Sequence, residues 1–335
     1  MAEADQAVLG IVIPLHNSAG TIAEAVGALL PELRPGDRIL AVDDRSSDGS
    51  PAVCASLGVE VAASDRPPGA AGTRNSGAAR CGGGWILFVD SDAVAPPGWR
   101  AALEEGMREA DAIQAVYASR APGRSASTFY KNFYYHYTFT RRIRTRYIPG
   151  CGTFFFAVRR DLFERLGGFD ERIAGATVED ADFAARLTAA GGRILLLKGL
   201  EVFHLREYDF PGLMKYDWRM IRAKTMYMAR RDRGHGSLSL SMAGAAEMVS
   251  VAVGAGSVWL AVAGAALSFA HPAGPAVLAA GAAAFVMSQA RFWVSSVAAG
   301  GLRGLRACFV GIPDLALVVP AAASAMAAVL AGRRY

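Results

Sequence analysis

The apolar run WILFV, Trp85–Val89, is followed at once by Asp90-Ser91-Asp92. Two carboxylates one residue apart at the end of a strand-length run can reach one hard divalent cation, directly or through water. Such a cation takes oxygen ligands and commonly keeps substrate phosphates among them. The same three residues can also form an ordinary turn. A second pair, Asp43-Asp44, closes the run RILAV (Arg38–Val42), expected to be the strand next to WILFV, and opens DDRSSDGS. A carboxylate there can accept hydrogen bonds from a base or a ribose, or Ser46, Ser47 and Asp48 can build an Asx turn or a helix cap. PPGAAGTRNSGAA, residues 67–79, is a Gly-rich loop running into a helix start with Arg74 and Asn75. Arg74 there can pair with phosphate or lie on the surface. Glu179-Asp180 open VEDADFAARL; the macrodipole favours acidic residues in a first helical turn whatever else they do.

Elements that would hold these residues follow from periodicity. Val8–Leu15 reads as a first buried strand, and Ser18–Leu30 as a helix stopped by Pro31 and the Pro35-Gly36 turn. Arg38–Val42 is a second strand, Pro51–Leu57 a helix, the run from Val59 a third strand, and Gly72–Arg80 a helix before WILFV. Near-continuous apolar strands alternating with helices predict a parallel α/β sheet covered on both faces. Ligands of such sheets sit beyond the carboxyl ends of the strands, where Asp43, Asp44, Asp90 and Asp92 fall. Downstream, Gly152–Glu171 reads as a strand and a short helix ended by Gly167-Gly168, and Glu179–Ala190 as an amphipathic helix. RILLL and EVFHL, ending near His204, read as two later strands. The basic aromatic stretch Tyr130–Tyr147 reads as a solvated face, a loop over a ligand, or a surface for bilayer phosphates.

The 335 residues are unevenly charged: residues 236–335 carry seven charged side chains of the chain's 65. Residues 248–270, 272–290 and 308–332 are apolar over spanning length, interrupted only by Asp314. Their alanine and glycine content suits close helix packing in lipid, and Pro313-Asp314 is expected to break the third helix. The expected organisation is a globular domain over 1–209, an interfacial helix or linker over 210–240, and about three membrane helices over 241–335. Arg230, Arg231 and Arg233 precede the first apolar stretch, and Arg291, Arg303 and Arg306 follow the second. The positive-inside rule then predicts a multi-pass inner-membrane protein with its globular domain cytoplasmic; Arg333 and Arg334 conflict with a fully spanning third helix. The start MAEADQAVLG lacks a basic n-region. Cys54, Cys81, Cys151 and Cys308 form no CxxC pair, against a disulfide framework or zinc site. A net charge of +5, with arginines near the apolar region, points to anionic lipid rather than nucleic acid.

IVIPLHN, AVDDRSSDGS, GAAGTRNSGAA, FVDSDA and VEDADFAARL occur in that order, and the stretch from about Val8 to about Leu205 resembles a family 2 glycosyltransferase of GT-A fold. The resemblance implies a nucleotide-diphosphate-sugar donor, Mn²⁺ or Mg²⁺, and inversion at the anomeric carbon. It implies that Pro14 and the loop after it line the nucleotide pocket and that Asp43 contacts the base. Asp90 and Asp92 match the DxD pair that holds metal and donor, with Asp92 the direct metal ligand. Arg74 falls on an Arg-Asn position near the donor. Glu179-Asp180 fall on the ED motif, Glu179 beside the donor and Asp180 matching the general base. His204 falls where some GT-A enzymes place a further metal or diphosphate ligand.

Processive members carry Gln-x-x-Arg-Trp on an interfacial helix; the comparable region here reads KYDWRMIRAK. That departure argues for one sugar per encounter. The apolar region predicts a lipid or glycolipid acceptor. A polyprenyl phosphate would be an anionic nucleophile needing no base, so the VED block favours a hydroxyl. From other classes, a non-catalytic nucleotide-sugar-binding protein would tolerate loss of Asp180, and a transporter subunit would carry more polar residues in its spans than Glu247, Gln289 and Asp314.

Overall fold

The structure, a computed structural model, describes residues 8–173, 175, 177–230 and 245–332. Its elements run β1 (Leu9–Leu15), α1 (Ile22–Leu29), β2 (Arg38–Asp43), α2 (Ser50–Ser56), β3 (Glu60–Ala63), α3 (Ala70–Arg80), β4 (Trp85–Val89), β5 (Ala93–Val94), α4 (Trp99–Met107) and β6 (Ala112–Tyr117). Then come α5 (Ala126–Tyr137), β7 (Tyr147–Ile148), β8 (Phe155–Arg159), α6 (Arg160–Arg165), α7 (Glu179–Ala189), β9 (Ile194–His204), α8 (Phe210–Arg230), α9 (Ala245–Leu267) and α10 (Gly274–Leu330). The described residues form two compact units, one of 8–118 with 143–205, the other of 119–142, 206–230 and 245–332.

The first unit is built on a mixed sheet of order β3-β2-β1-β4-β8-β6-β9-β5. The first four strands are parallel, as their apolar runs predict; β8 then inserts antiparallel between β4 and β6. Asp43 does not lie on the strand next to WILFV, as expected, because β1 sits between β2 and β4. The chain winds outward from β1 to β3, and α3 carries it back to β4 on the other flank of β1. The resulting switch point opens a crevice between the loops after β1 and β4. RILLL and EVFHL are one strand, not two: the β6–β9 register jumps from Ala115↔Leu197 to Val116↔Glu201, so an irregularity absorbs residues 198–200 and β9 runs on to His204.

Aromatic packing fixes β4 against the later elements. The Phe88 ring lies 5.2 Å from Phe169 and 5.4 Å from Phe163, which in turn lies 5.2 Å from Phe183 of α7. On the other flank α3 approaches β1 and β2 at Gly77, where a Cβ would overlap Val12 Cγ1 and stand 3.0 Å from Val42 Cγ2. Both valines are wholly buried strand residues, so Gly77→Ala should cost about 1–3 kcal/mol through overpacking. A denaturant midpoint equal to that of the parent protein would refute this close approach.

In the second unit the Tyr130–Arg142 part of the basic aromatic stretch is helical and largely buried, whereas Arg144–Arg146, in the first unit, are exposed in a loop. Helix α5 and a π-turn over Thr138–Arg142 bury Phe129, Tyr130, Phe133 and Tyr137 against Phe292 and Leu213. Their spacing, at relative positions 0, +1, +4 and +8, makes one helical face. Lys131 pairs with Asp217 of α8, both buried, and Tyr130 donates to Asp314 Oδ2 at 2.6 Å. Met248–Leu267 and Gly274–Leu330 are long and apolar enough to cross a membrane. Gly264 and Gly281 leave no room for a Cβ against the facing helix backbone, the close approach small residues permit. The break in α10 falls at Gly301 (φ 53°, ψ −129°), and the helix continues through Pro313. Glycine enters that backbone region without a steric penalty, while the Tyr130 contact holds Asp314 inside the helical packing. Arg231, Arg233, Arg333, Arg334 and the Glu247 side chain lie outside the described residues.

Candidate active site

Three loops meet at the carboxyl ends of β1, β2 and β4. After β1, His16 Nδ1 lies 2.8 Å from the Asp44 carbonyl oxygen, Asn17 adopts φ 53° and accepts at Oδ1 from Ser47 N (2.9 Å), and Ser18 N donates to Ser50 Oγ at 2.7 Å. Asp48 accepts from the Ser50 hydroxyl and, at 2.8 Å, from Ala19 N; these bonds hold its carboxyl below the ordinary range. Asp43 Oδ1 accepts from Ser46 N at 3.1 Å, and Asp44 Oδ2 from Gly69 N at 2.8 Å. The turn-building reading of DDRSSDGS is thus realised, with Asp48 as the organiser. Pro14, half-buried, stands in register with Val42 near the strand ends. Ser18 Oγ lies 2.7 Å from Ser91 Oγ, so the β1 loop is tied directly to the Asp-Ser-Asp turn.

Arg74 is neither at a helix start nor on the surface. It sits in the second turn of α3, 4% exposed, and bridges Asp90 Oδ1 at 2.7 Å and Glu179 Oε1 at 3.1 Å. Burial alone would lower the guanidinium pKa; the carboxylates of Asp90 and Glu179 outweigh it and hold the pKa above its usual value. Glu179, 3% exposed, also accepts from Thr177 N through Oε2 at 2.7 Å, so both its oxygens are engaged. Asp180 is only half-buried, and its Oδ1 accepts from Ala181 N at 2.7 Å in the first turn of α7. Cys151 Sγ lies 3.4 Å from the Asp180 carbonyl oxygen. Burial, then the Asp180 and Glu179 charges, push the Cys151 thiol well above its ordinary pKa, leaving a neutral, poorly nucleophilic wall residue.

Asp92 and His204 are far apart in sequence and adjacent in space. Strand β5 pairs antiparallel with the end of β9, Ala93 opposite His204, and Leu205 N donates to the Asp92 carbonyl at 2.8 Å. His204 Nε2 then lies 3.5 Å from Asp92 Oδ1. The Tyr117 ring meets His204 edge-on at 5.2 Å and stacks on Phe154 at 3.9 Å, bracing the imidazole. Among the described residues no cluster of three or more His, Cys, Asp or Glu is placed to hold a metal. Asp92 and His204 offer two ligands, and phosphate oxygens and water would have to supply the rest. Asp90, Glu179 and Asp180 all act on the guanidinium of Arg74, while Asp92 faces His204.

Sequence reasoning missed Ser18, Ser91, Tyr117 and Cys151. Ser91 lay inside the quoted motif, and Tyr117 ends the run AIQAVY; nothing in the sequence pointed to Cys151. A shallow hollow of about 780 Å³ elsewhere on the first unit is lined by Arg66, Asn75, Phe163 and Gly168. Its arginines are already paired, Arg172 with Asp170 and Arg186 with Asp182.

Residues 10–167 match the family model "Glycosyl transferase family 2". Among curated proteins, the chain is 36% identical over 89 residues to the succinoglycan biosynthesis protein ExoO of Rhizobium meliloti, covering 26% of each chain. It is 27% identical over 198 residues to a pre-mycofactocin glycosyltransferase of Mycobacterium tuberculosis, covering 55% of this chain and 40% of the relative. The chain thus spans between 26% and 40% of the length of these relatives. Among solved structures, a mannosyltransferase from Pyrobaculum calidifontis, in complex with GDP-Man and Mn²⁺, superposes with a TM-score of 0.60 at 18% identity. The match covers 96% of this chain and 88% of that one, a likeness of fold.

Proposed function

Residues 10–167 being a family 2 glycosyltransferase domain, we propose that the protein transfers a sugar, with inversion and one residue per encounter, from a nucleotide-diphosphate-sugar to a membrane-associated acceptor hydroxyl. The observation that carries this reading is the concentration of Asp90, Asp92, Glu179 and Asp180 at one sheet edge, with His204 beside Asp92. An anionic diphosphate would not enter such a site alone; it would enter with a divalent cation. Asp92 and His204 would hold that ion, and a carboxylate with an imidazole suits Mn²⁺ better than Mg²⁺. Once bound, the ion would offset the charge on the departing nucleoside diphosphate.

The remaining steps belong to the chain's own residues. Pro14 and Asp43 line the base side of the crevice. Asp90, oriented by Arg74, and Ser91, oriented by Ser18, set the sugar-diphosphate side. Asp180 takes the acceptor proton on its carboxylate as the hydroxyl attacks the face opposite the leaving group. Its place at the N-terminus of α7 favours the ionised form needed for that role. The apolar helices α9 and α10 support an acceptor in or on a membrane; the multi-pass arrangement with a cytoplasmic catalytic unit belongs to this reading. The mannosyltransferase of similar fold was captured with GDP-Man and Mn²⁺, which is in keeping with the donor class and the ion.

Calorimetry with Mn²⁺ and a panel of nucleotide sugars tests it. One donor should bind only with the ion, and Asp92→Ala or His204→Ala should each weaken that binding about tenfold or more. Metal-dependent affinity that survives both substitutions would sink the ion assignment.

A further inference from the structure

Within the second unit, the basic helix α8 and the last apolar stretch start from the same place and run the same way. Arg303 donates to the carbonyls of Ala121, Pro122 and Ser125, and the Ser125 hydroxyl donates to the Tyr208 carbonyl at 2.8 Å. The residues just before α8 and those just after Gly301 are thus fastened to one loop. Next, neighbouring residues of α5 hold both helices: Lys131 pairs with Asp217 of α8, and Tyr130 donates to Asp314 of α10. Farther on, Arg222 donates to the Ser324 hydroxyl, and Met226 packs on Ala325 and Ala328. Each step forward along α8 is matched by a step forward along α10. Helix α8 therefore accompanies segment 302–330 along most of its length.

The charges of α8 decide where that pair can lie. Its 21 residues carry Lys215, Arg219, Arg222, Lys224, Arg230 and Asp217, and Lys215, Arg219 and Lys224 are exposed. Ionisable side chains inside a membrane are costly and face the protein interior or a water-filled cavity. Helix α8 is thus kept out of the hydrocarbon core. Segment 302–330 is kept out with it, although length and composition alone would let it span. Its outer side chains are apolar and open: Phe309, Val319 and Leu330 are 64%, 48% and 82% accessible. Exposed apolar groups beside exposed cations suit a bilayer surface. The α9–α10 hairpin differs. Residues 248–290 carry no Asp, Glu, Lys or Arg, and its legs meet at Gly264, Gly274 and Gly281 with no room for a Cβ. We propose that, of the described residues, only this hairpin crosses the bilayer, and that 302–330 lies with α8 on the membrane surface facing the catalytic unit. Three apolar stretches then give two crossings. This rests on the reading that the protein is membrane-bound.

The test uses the full chain in membrane vesicles of either orientation, with a membrane-impermeant maleimide. Cys54, Cys81, Cys151 and Cys308 are buried, so the parent protein supplies the background. Cysteine replaces three exposed alanines: Ala101 on the catalytic unit, Ala273 in the hairpin turn and Ala331 after α10. Ala331→Cys should label in the same orientation as Ala101→Cys and lose its labelling in the other, where only Ala273→Cys reacts. Labelling of Ala331→Cys together with Ala273→Cys overturns the proposal, because 302–330 would then cross. Labelling of all three from one side overturns it as well, because the hairpin would then dip without crossing. A fluorophore on Met326→Cys should be quenched more by lipids spin-labelled at the head group than by lipids spin-labelled at the chain end; the reverse order overturns the surface placement. Alkaline carbonate extraction separates the two readings: release from membranes defeats membrane binding itself, whereas retention with Ala331→Cys on the far side defeats only this topology.

Discussion

Replacement of Asp180 by Asn is expected to leave Mn²⁺-dependent donor binding within about twofold while transfer falls by about 10²–10⁴-fold, the usual contribution of a positioned general base. The split follows from where Asp180 stands. Its Oδ1 accepts from Ala181 N at 2.7 Å, a bond the asparagine carbonyl can also accept, so the first turn of α7 should keep its geometry. What the amide lacks is the capacity to take a proton. The neighbouring acids cannot substitute, because Glu179 is buried with both oxygens engaged and Asp90 is paired with Arg74. Single-turnover transfer beside calorimetric donor affinity gives the measurement. Transfer that survives with unchanged rate would mean either an acceptor that is already an anion, such as a lipid phosphate, or a base elsewhere.

The second large effect is on stability. Arg74→Met should destabilise the first unit by about 3–5 kcal/mol, the cost of breaking a buried ion pair from one side. The two partners will not suffer equally. The Asp90 side chain is 30% accessible and can turn to water, whereas that of Glu179 is 4% accessible and cannot. Most of the loss is therefore assigned to Glu179, left with only the Thr177 amide. Adding Glu179→Gln to Arg74→Met should return a large part of it, since the neutral amide no longer needs the cation. Chemical denaturation of the two single variants and the double variant closes this cycle. A loss below about 1 kcal/mol for Arg74→Met would show that water already reaches Glu179, and that the bridge is not the strut described here.

Much of this site was legible in the sequence because it is encoded locally. Asp43, Asp90 and Asp92 could be placed at strand ends because apolar runs of strand length stop just before them, and strand ends are where such sheets bind ligands. Asp180 could be placed at a helix start because apolar periodicity begins after it. What the local pattern could not supply was pairing. The order of strands depends on where the chain turns back across the sheet, which is why Asp43 was expected one strand nearer to Asp90 than it is. The role of Arg74 was equally hidden. A Gly-rich helix start is consistent with a phosphate ligand, and only the packing of α3 on β1 and β2 brings that side chain onto the carboxylates that follow β4 and open α7.

The C-terminal half divides in the same way. Three apolar stretches were evident from composition alone. The third was expected to break at Pro313, yet it runs through that proline, which packed helices can carry; the kink in α10 falls at Gly301, between the second and third stretches, where a positive φ favours glycine. The aromatic stretch after Ser125 carried a helical face in its spacing, but which surface that face covers is decided by α8 and α10.

The sequence by itself determined the kinds of groups available and the element that carries each: carboxylates at strand ends, an acidic helix start, a late histidine, apolar helices. Tertiary structure alone decided which groups meet. The irregularity in β9 and its antiparallel pairing with β5 set His204 beside Asp92, and the Ser18–Ser91 contact joins two loops across the switch point. Periodicity and turn chemistry act over a few residues, whereas these meetings depend on strand order and register, which are fixed only when the whole sheet forms.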